Sequence, residues 1–479
     1  MGMQELIVDY LIVGAGASGM GFADVMVAQS TATMAMIDSH EAPGGHWNDA
    51  YSYVRLHQPS YYYGVESLQL GDLIVQQEGL SKGLLHAASA AQILQYYSQV
   101  MQQTLLPSGR LRYFPQCSFE GADVDSGKIV ARFRELATGT VHRVIVRKRI
   151  VDTTYYAVSV PATHARKFSV ATPVRCIIPN ELIEVVTELT HKHTRYTVIG
   201  SGKTGMDACL WLLGNGIVPD KIRWIMPRDA WWIDRVSLQL TPDFFTEGIL
   251  NSAVQMEALA QASSVADLFA RLEACGALIR FDKTVKPTMF HGATVTQAEL
   301  TALRQITDVV RLGRVLAVHA NEIELAQGRV AAHADDLYID CTAQGIASPP
   351  TIPIFSPNKI TLQIVKIFAV SLSPGLIAYI ELNYNNDAIK NNLCKPVIAP
   401  QFDTGWLPMM AGTMRNLTRW SQDPELMAWL RKSRLDPFAR LQRSADPNNP
   451  EQQALLSRSK QAVKGALANM PRLLIELGQ

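Results

Sequence analysis

Short unbroken apolar runs alternate along this chain with stretches where apolar residues recur at helical spacing, the pattern of buried parallel strands joined by covering helices. The first run, Tyr10-Leu11-Ile12-Val13, opens directly into Gly14-Ala15-Gly16-Ala17-Ser18-Gly19, and the next, Met34 to Ile37, ends at Asp38. The same logic returns in Tyr196-Thr197-Val198-Ile199, which leads into Gly200-Ser201-Gly202-Lys203-Thr204-Gly205 before residues 222–226 end at Pro227-Arg228. Two further strands end in small polar residues, one at Asp152-Thr153-Thr154 and one at Asp340-Cys341-Thr342-Ala343. Helical spacing predicts helices over 84–101, over 206–213 with a cap at Gly214-Asn215-Gly216, and over 251–275 and 296–310. Residues 111–151 read as short strands with turns at Gly121 and Ser126-Gly127, 161–179 as a proline-rich connection, and 440–450 as a loop. These elements predict an α/β fold of two Rossmann-like dinucleotide-binding domains. Residues 1–165 form the first unit, 166–335 the second with a helical insertion, and 336–479 the return to the first unit and a C-terminal region.

Each glycine of a G-x-G-x-x-G turn has its own work. Gly14 permits the tight turn, Gly16 admits backbone close to a pyrophosphate, and Gly19 lets the helix sit close to the strand, so the anion rests on a helix N-terminus flanked by Ala17 and Ser18. Asp38 stands 24 positions after Gly14, where an acid accepts ribose hydroxyls. In the second copy, Gly200, Gly202 and Gly205 keep the spacing, with Lys203 and Thr204 inside it. Arg228, 28 positions after Gly200, stands where an arginine accommodates a 2′-phosphate, so NADPH is expected there rather than NADH, with Arg228 and Lys203 on phosphate.

The segment after Asp38 has neither helical nor strand period but carries Trp47, Tyr51, Tyr53, Tyr61, Tyr62 and Tyr63. Loops seldom leave so many aromatics in solvent, and this one is expected to wrap a flat cofactor. With 48% hydrophobic residues and a formal net charge of +1, the chain has no bulk electrostatic reason to bind nucleic acid or an anionic membrane. Its six cysteines include no C-x-x-C, which disfavours a dithiol reductase or a cysteine-rich zinc site. Neither a metal nor a membrane partner is expected. His191 and His193 lack a nearby third ligand, and the apolar window 364–382 is broken by Lys366, Pro374 and Glu381, so it is expected to be core. The absence of a basic-then-apolar leader suggests a cytoplasmic location. Trp231-Trp232 suits either a nicotinamide pocket or the core between domains.

Two G-x-G-x-x-G fingerprints, with Gly44-Gly45-His46-Trp47 just after the ribose acid, resemble the flavin-containing and Baeyer–Villiger monooxygenases, the class B flavoprotein monooxygenases. The likeness covers roughly the first half of the chain, and Asp340-Cys341-Thr342-Ala343 resembles the late ATG-type strand of that group. It implies FAD on Gly14, Gly16, Gly19 and Asp38, continuing along Gly45, His46 and Trp47, and NADPH on Gly200, Gly202, Gly205 and Arg228. It also implies a residue beside the reactive flavin about ten positions beyond the tryptophan. His57 occupies that place where the family has asparagine or aspartate, with Gln58 second and Arg55 third; the bland reading of His57 is a histidine that only packs the loop. The family's linker motif F-x-G-x-x-x-H-x-x-x-W is absent, and Phe168-Ser169-Val170-Ala171-Thr172-Pro173 lies in its place, which marks a divergent branch. The resemblance implies an NADPH-consuming monooxygenase acting through a C4a-hydroperoxyflavin on a small molecule with O₂ as co-substrate. A flavin reductase, dehydrogenase or oxidase without oxygen insertion, and a nucleotide-bound redox sensor, are the rivals.

Overall fold

The computed structural model describes residues 6–189, 193–347 and 349–478, so His191 lies outside the described residues. Leu6–Val13 forms the middle of an eight-stranded sheet, pairing in parallel with Met34–Ile37 on one side and Val141–Asp152 on the other. Leu111–Phe114 extends the sheet beyond Met34–Ile37, and Lys359–Thr361 extends it beyond Val141–Asp152, both in parallel. The hairpin of Cys117–Asp125 and Lys128–Glu135 leaves one end of Val141–Asp152 as an antiparallel flap. All four residues of Met34–Ile37 are buried, as a parallel strand covered on both faces requires. Because the strands share one direction, Val13, Ile37 and Asp152 end side by side, and the first glycine turn leaves from that edge.

The second sheet is five parallel strands in the order Asp308–Val310, Ile222–Ile225, Tyr196–Ile199, Leu337–Asp340, Arg175–Ile177. Two expectations need correction here. Leu337–Asp340 pairs with Tyr196–Ile199, so the second unit closes at Asp340 rather than at 335. Within the stretch expected to be helical over 296–310, only Gln297–Leu303 is helix. Asp308-Val309-Val310, with β-branched Val309 and Val310, becomes the edge strand, where its residues line up with Arg223, Trp224 and Ile225. The connection at 161–179 likewise holds two short strands, one of which, Arg175–Ile177, closes the other edge of the sheet.

The helix expected over 84–101 starts only at Ala90, because Ser89 and Gln92 form a reciprocal capping box. The helical stretch 251–275 is two helices, Phe245–Gln261 and Val265–Ala274, the second capped by the Ser264 side chain. These two share an apolar core with the C-terminal helices Trp406–Trp420 and Pro450–Glu476, including Leu259, Leu268, Trp406, Met409, Ala466 and Leu473, and with Trp231 and Phe290 of the second unit. The expected loop at 440–450 is shorter than anticipated, running between Pro437–Arg443 and Pro450–Glu476. The apolar window after Ile364 supplies Leu372–Asn383, buried against the first glycine-loop helix Ala17–Gln29. Among the described residues no helix is long and apolar enough to cross a membrane.

Candidate functional site

Both glycine turns have the geometry their spacing requires. Gly14 and Gly200 adopt φ of +106° and +122°, open to glycine and strained for other residues. A Cβ on Gly19 would overlap the Gly14 carbonyl oxygen, and one on Gly205 the Gly200 carbonyl oxygen, so each third glycine is what lets its helix dock. The helices Ala17–Gln29 and Lys203–Gly214 begin at Gly16 and Gly202 with no side chain capping their first N–H groups. Uncapped amides at a helix start facing a glycine turn suit a phosphate.

The two turns differ in what surrounds them. A Cβ on Gly45 would stand 2.9 Å from the Gly16 Cα, and the Gly44 N–H donates to the Ala15 carbonyl at 2.9 Å. The Gly45–Asp49 turn thus lies directly on the first glycine loop. Asp38 accepts from the Ala15 N–H at 2.6 Å on Oδ2, and from the His40 N–H at 2.8 Å and His40 Nδ1 at 2.7 Å on Oδ1. Three of a carboxylate's roughly four lone-pair positions are used, which leaves one for a ribose hydroxyl. At the second turn, nothing among the described residues lies within 4 Å of a Cβ on Gly202. Ser201 Oγ donates to the Arg228 carbonyl at 2.8 Å, which sets Arg228 beside this loop, exposed and without an ion pair among the described residues. The acid that follows it, Asp229, is buried and held by Arg311 at 2.8 Å, so it is not open to a ribose.

Lys203 is held in an ion pair. Its Nζ pairs with Asp207 Oδ1 one turn along the same helix, and Tyr51 Oη of the first unit's aromatic loop donates to Asp207 Oδ2 at 2.8 Å. Burial, then the Asp207 charge, holds the Tyr51 hydroxyl well above its ordinary value, so it remains a donor. Two further tyrosines of that loop reach the same junction. Tyr62 Oη donates to the Leu238 carbonyl at 3.1 Å, Tyr61 Oη donates to that of Leu240, and Trp47 is buried with its Nε1 donating to Tyr63 Oη at 2.8 Å. Tyr51, Tyr61 and Tyr62 thus stitch the first unit onto the second, while Trp47 and Tyr63 pair within the first. Trp231 and Trp232 are both buried, in the core of the second unit and of the helical layer.

His57 lies at this junction. Its carbonyl accepts from Thr294 Oγ1 at 3.0 Å, and Arg235, held by Glu299 at 2.8 Å, donates to the same Thr294 hydroxyl. Burial, then the positive charges of Lys203 and Arg235, keeps the imidazole well below the ordinary histidine value, so it is neutral at physiological pH. The Gln58 amide nitrogen and the Tyr53 hydroxyl are buried without a hydrogen-bond partner among the described residues. Unmade bonds on buried donors are costly, and the Tyr53 ring packs between Tyr51 of its own loop and Trp211 of the second unit. Arg55 does not join this set: it is exposed and its Nη1 donates to the Ala87 carbonyl at 3.1 Å. His46 stacks beside Trp47 with centroids 5.1 Å apart, and burial lowers its proton affinity.

The pattern-based reading missed Asp207, Arg235, Thr294 and His40. Asp207 was within reach, since it stands four positions after Lys203 on a helix; Thr294 comes from a strand 237 residues beyond His57 and leaves no local signal. Among the described residues no cluster of three or more His, Cys, Asp or Glu is set to hold a metal.

Two parallel sheets, each ending in a glycine turn, with the first unit resumed after the second, make the two-dinucleotide-domain fold of the flavin monooxygenases. Its solved representatives include polycyclic ketone monooxygenase from the thermophilic fungus Thermothelomyces thermophila, with a TM-score of 0.52 at 12% identity over 98% of this chain and 89% of that one. They also include cyclohexanone monooxygenase, with a TM-score of 0.51 at 12% identity over 88% of this chain and 99% of that one. Identity this low makes the likeness one of fold. No family model matches the chain. It is, however, 45% identical over 433 residues to the uncharacterized protein Rv2000 of Mycobacterium tuberculosis and equally to the uncharacterized protein Mb2023 of Mycobacterium bovis, spanning 90% of this chain and 78% of theirs. The chain belongs to the family of these mycobacterial proteins.

Proposed function

We propose that this protein is a flavin-dependent monooxygenase that consumes NADPH and transfers oxygen from O₂ to a small organic substrate. The observation that carries the reading is the meeting of the two glycine-turn units at a seam where Tyr51 of the first donates to Asp207 beside Lys203 of the second, with buried His57 within reach of the Lys203 charge. FAD would be held by Gly14, Gly16, Ala17, Ser18, Gly19 and Asp38, with Gly45, His46 and Trp47 along it. NADPH would be held by Gly200, Gly202, Thr204, Gly205 and Arg228. When bound, FAD supplies hydride acceptance from NADPH and, once reduced, reactivity toward O₂.

The chain's own residues supply binding, orientation and exclusion of water. Arg228 offers an unneutralised guanidinium to a 2′-phosphate. The Gln58 amide offers a desolvated donor with no existing bond to break, which makes a new hydrogen bond there worth more than one exchanged with water. The neutral His57 ring carries one N–H and one lone pair, so it can hold a proton in either direction without introducing charge. Lys203 contributes through Asp207 and Tyr51, which fix the second turn against the first unit.

Anaerobic reduction with NADPH followed by rapid mixing with oxygenated buffer tests the proposal. A transient absorbance distinct from both oxidised and reduced flavin is expected. Direct return to the oxidised spectrum would favour a reductase or oxidase, and a purified protein that binds no flavin would leave the sensor reading standing.

A further inference from the structure

We infer that His40 is a positioning residue of the first nucleotide site: its ring, donating from both nitrogens, fixes the carboxylate of Asp38 and clamps the Gly45–Asp49 turn over the first glycine loop. The inference rests on the assignment of FAD to that loop.

His40 Nδ1 lies 2.7 Å from Asp38 Oδ1, and Nε2 lies 2.8 Å from Asp49 Oδ2. An ionised carboxylate only accepts hydrogen bonds, so a ring placed between two of them makes both contacts only as the doubly protonated imidazolium. The backbone holds the arrangement in place. The His40 N–H donates to Asp38 Oδ1, the Gln116 N–H donates to the His40 carbonyl at 3.0 Å, and the Ala15 N–H of the glycine turn fills Asp38 Oδ2. At the far end, Asn180 Nδ2 donates to the Asp49 carbonyl at 3.0 Å and ties the turn to the second unit. The chain Ala15, Asp38, His40, Asp49 therefore runs from the glycine turn to the loop that lies on it.

Around this relay, burial lowers the proton affinity of His46 on the Gly45–Asp49 turn, raises the Cys117 thiol, and together with the Asp38 charge pushes the Tyr113 hydroxyl beside Asp38 above its ordinary value. Burial works against the His40 charge, but the hydrogen bonds to Asp49 and Asp38 outweigh it and hold the ring above the ordinary histidine value. A neutral ring donates from one nitrogen only and turns a lone pair on one of the two carboxylates. Either the ribose acid or the overlying turn then loses its tether.

Apoprotein titrated with FAD across pH 5.5 to 9, followed by flavin fluorescence, tests this. Wild-type affinity is expected to weaken by about tenfold as pH rises through the raised His40 value, the worth of one charge-assisted hydrogen bond. His40→Ala should bind more weakly with a flat profile, whereas His40→Arg, whose guanidinium donates to two carboxylates at every pH, should restore tight binding and stay flat. Tight FAD binding with a flat wild-type profile, or an unchanged slope in His40→Ala, overturns the inference alone. Failure of wild type to bind FAD at any pH overturns the assignment of FAD and the inference with it. A cofactor-free readout has its own sign. A group raised on folding stabilises fully below its ordinary value of about 6.5 and loses that contribution as pH climbs through the raised value. The urea-unfolding gap between wild type and His40→Ala should therefore close toward pH 9, and a gap independent of pH assigns the ring to packing.

Discussion

The two glycine turns share a sequence spacing and a backbone but not an environment. The first is roofed: Gly45 rests on Gly16, and Asp38 already accepts three hydrogen bonds. The second is open: among the described residues nothing stands over Gly202, and Arg228 projects into solvent without an ion pair. A roofed turn suits a cofactor that stays through many turnovers, and an open one suits a nucleotide that arrives and leaves. Identical fingerprints thus specify what each turn can grip, while the neighbouring chain sets how long it holds.

Four substitutions sharpen or break that contrast. The largest effect is expected from Gly19→Ala, whose methyl would overlap the Gly14 carbonyl; a loss of about 3 kcal/mol in urea unfolding, with failure to retain flavin, is anticipated. A stable, yellow Gly19→Ala protein would mean the helix need not dock so closely. Next, Arg228→Ala should lower the preference for NADPH over NADH by about tenfold or more with no change in stability, read from the ratio of kcat/KM for the two reductants. An unchanged ratio removes Arg228 from the site. Asp207→Asn should cost about 1.5 to 3 kcal/mol, because the amide keeps one acceptor oxygen for two donors and removes the charge opposite Lys203 at a nearly buried position. A cost within experimental error would show that the seam is held elsewhere. The smallest effect belongs to Gly202→Ala, about 0.5 kcal/mol or less in stability, since its φ is −78° and no described residue crowds it. Weaker NADPH binding in that variant would nonetheless place a phosphate where the methyl stands.

Much of this contrast was legible from pattern. Both strands, both turns and the placement of Asp38 and Arg228 at strand ends follow from local periodicity and glycine spacing, because a parallel strand fixes where its next residue emerges. What pattern leaves out lies where partners come from afar. The Lys203–Asp207 pair spans one helical turn, but nothing local announces that Tyr51, 156 residues before Asp207, shares that carboxylate. The aromatic loop has no period and so no readable direction; the carbonyls of Leu238 and Leu240 supply it for Tyr62 and Tyr61. Asp308-Val309-Val310 was hidden in a helical pattern because an edge strand of three residues is shorter than either period needs to declare itself.

The return of the chain to its starting sheet bears on how the molecule is born. Lys359–Thr361 pairs with Val141–Asp152, and Leu372–Asn383 covers Ala17–Gln29, so the first unit is finished only after the second has been synthesised. Until then one flank of its sheet has an unpaired edge and one helix an uncovered apolar face, the surfaces on which a nascent chain sticks to its neighbours. Closing so long a loop is slow rather than thermodynamically prohibitive, since the entropy of closure grows only with the logarithm of its length. Emergence from the ribosome should therefore proceed through an interval in which the first unit depends on chaperones, ending when the residues after 359 appear.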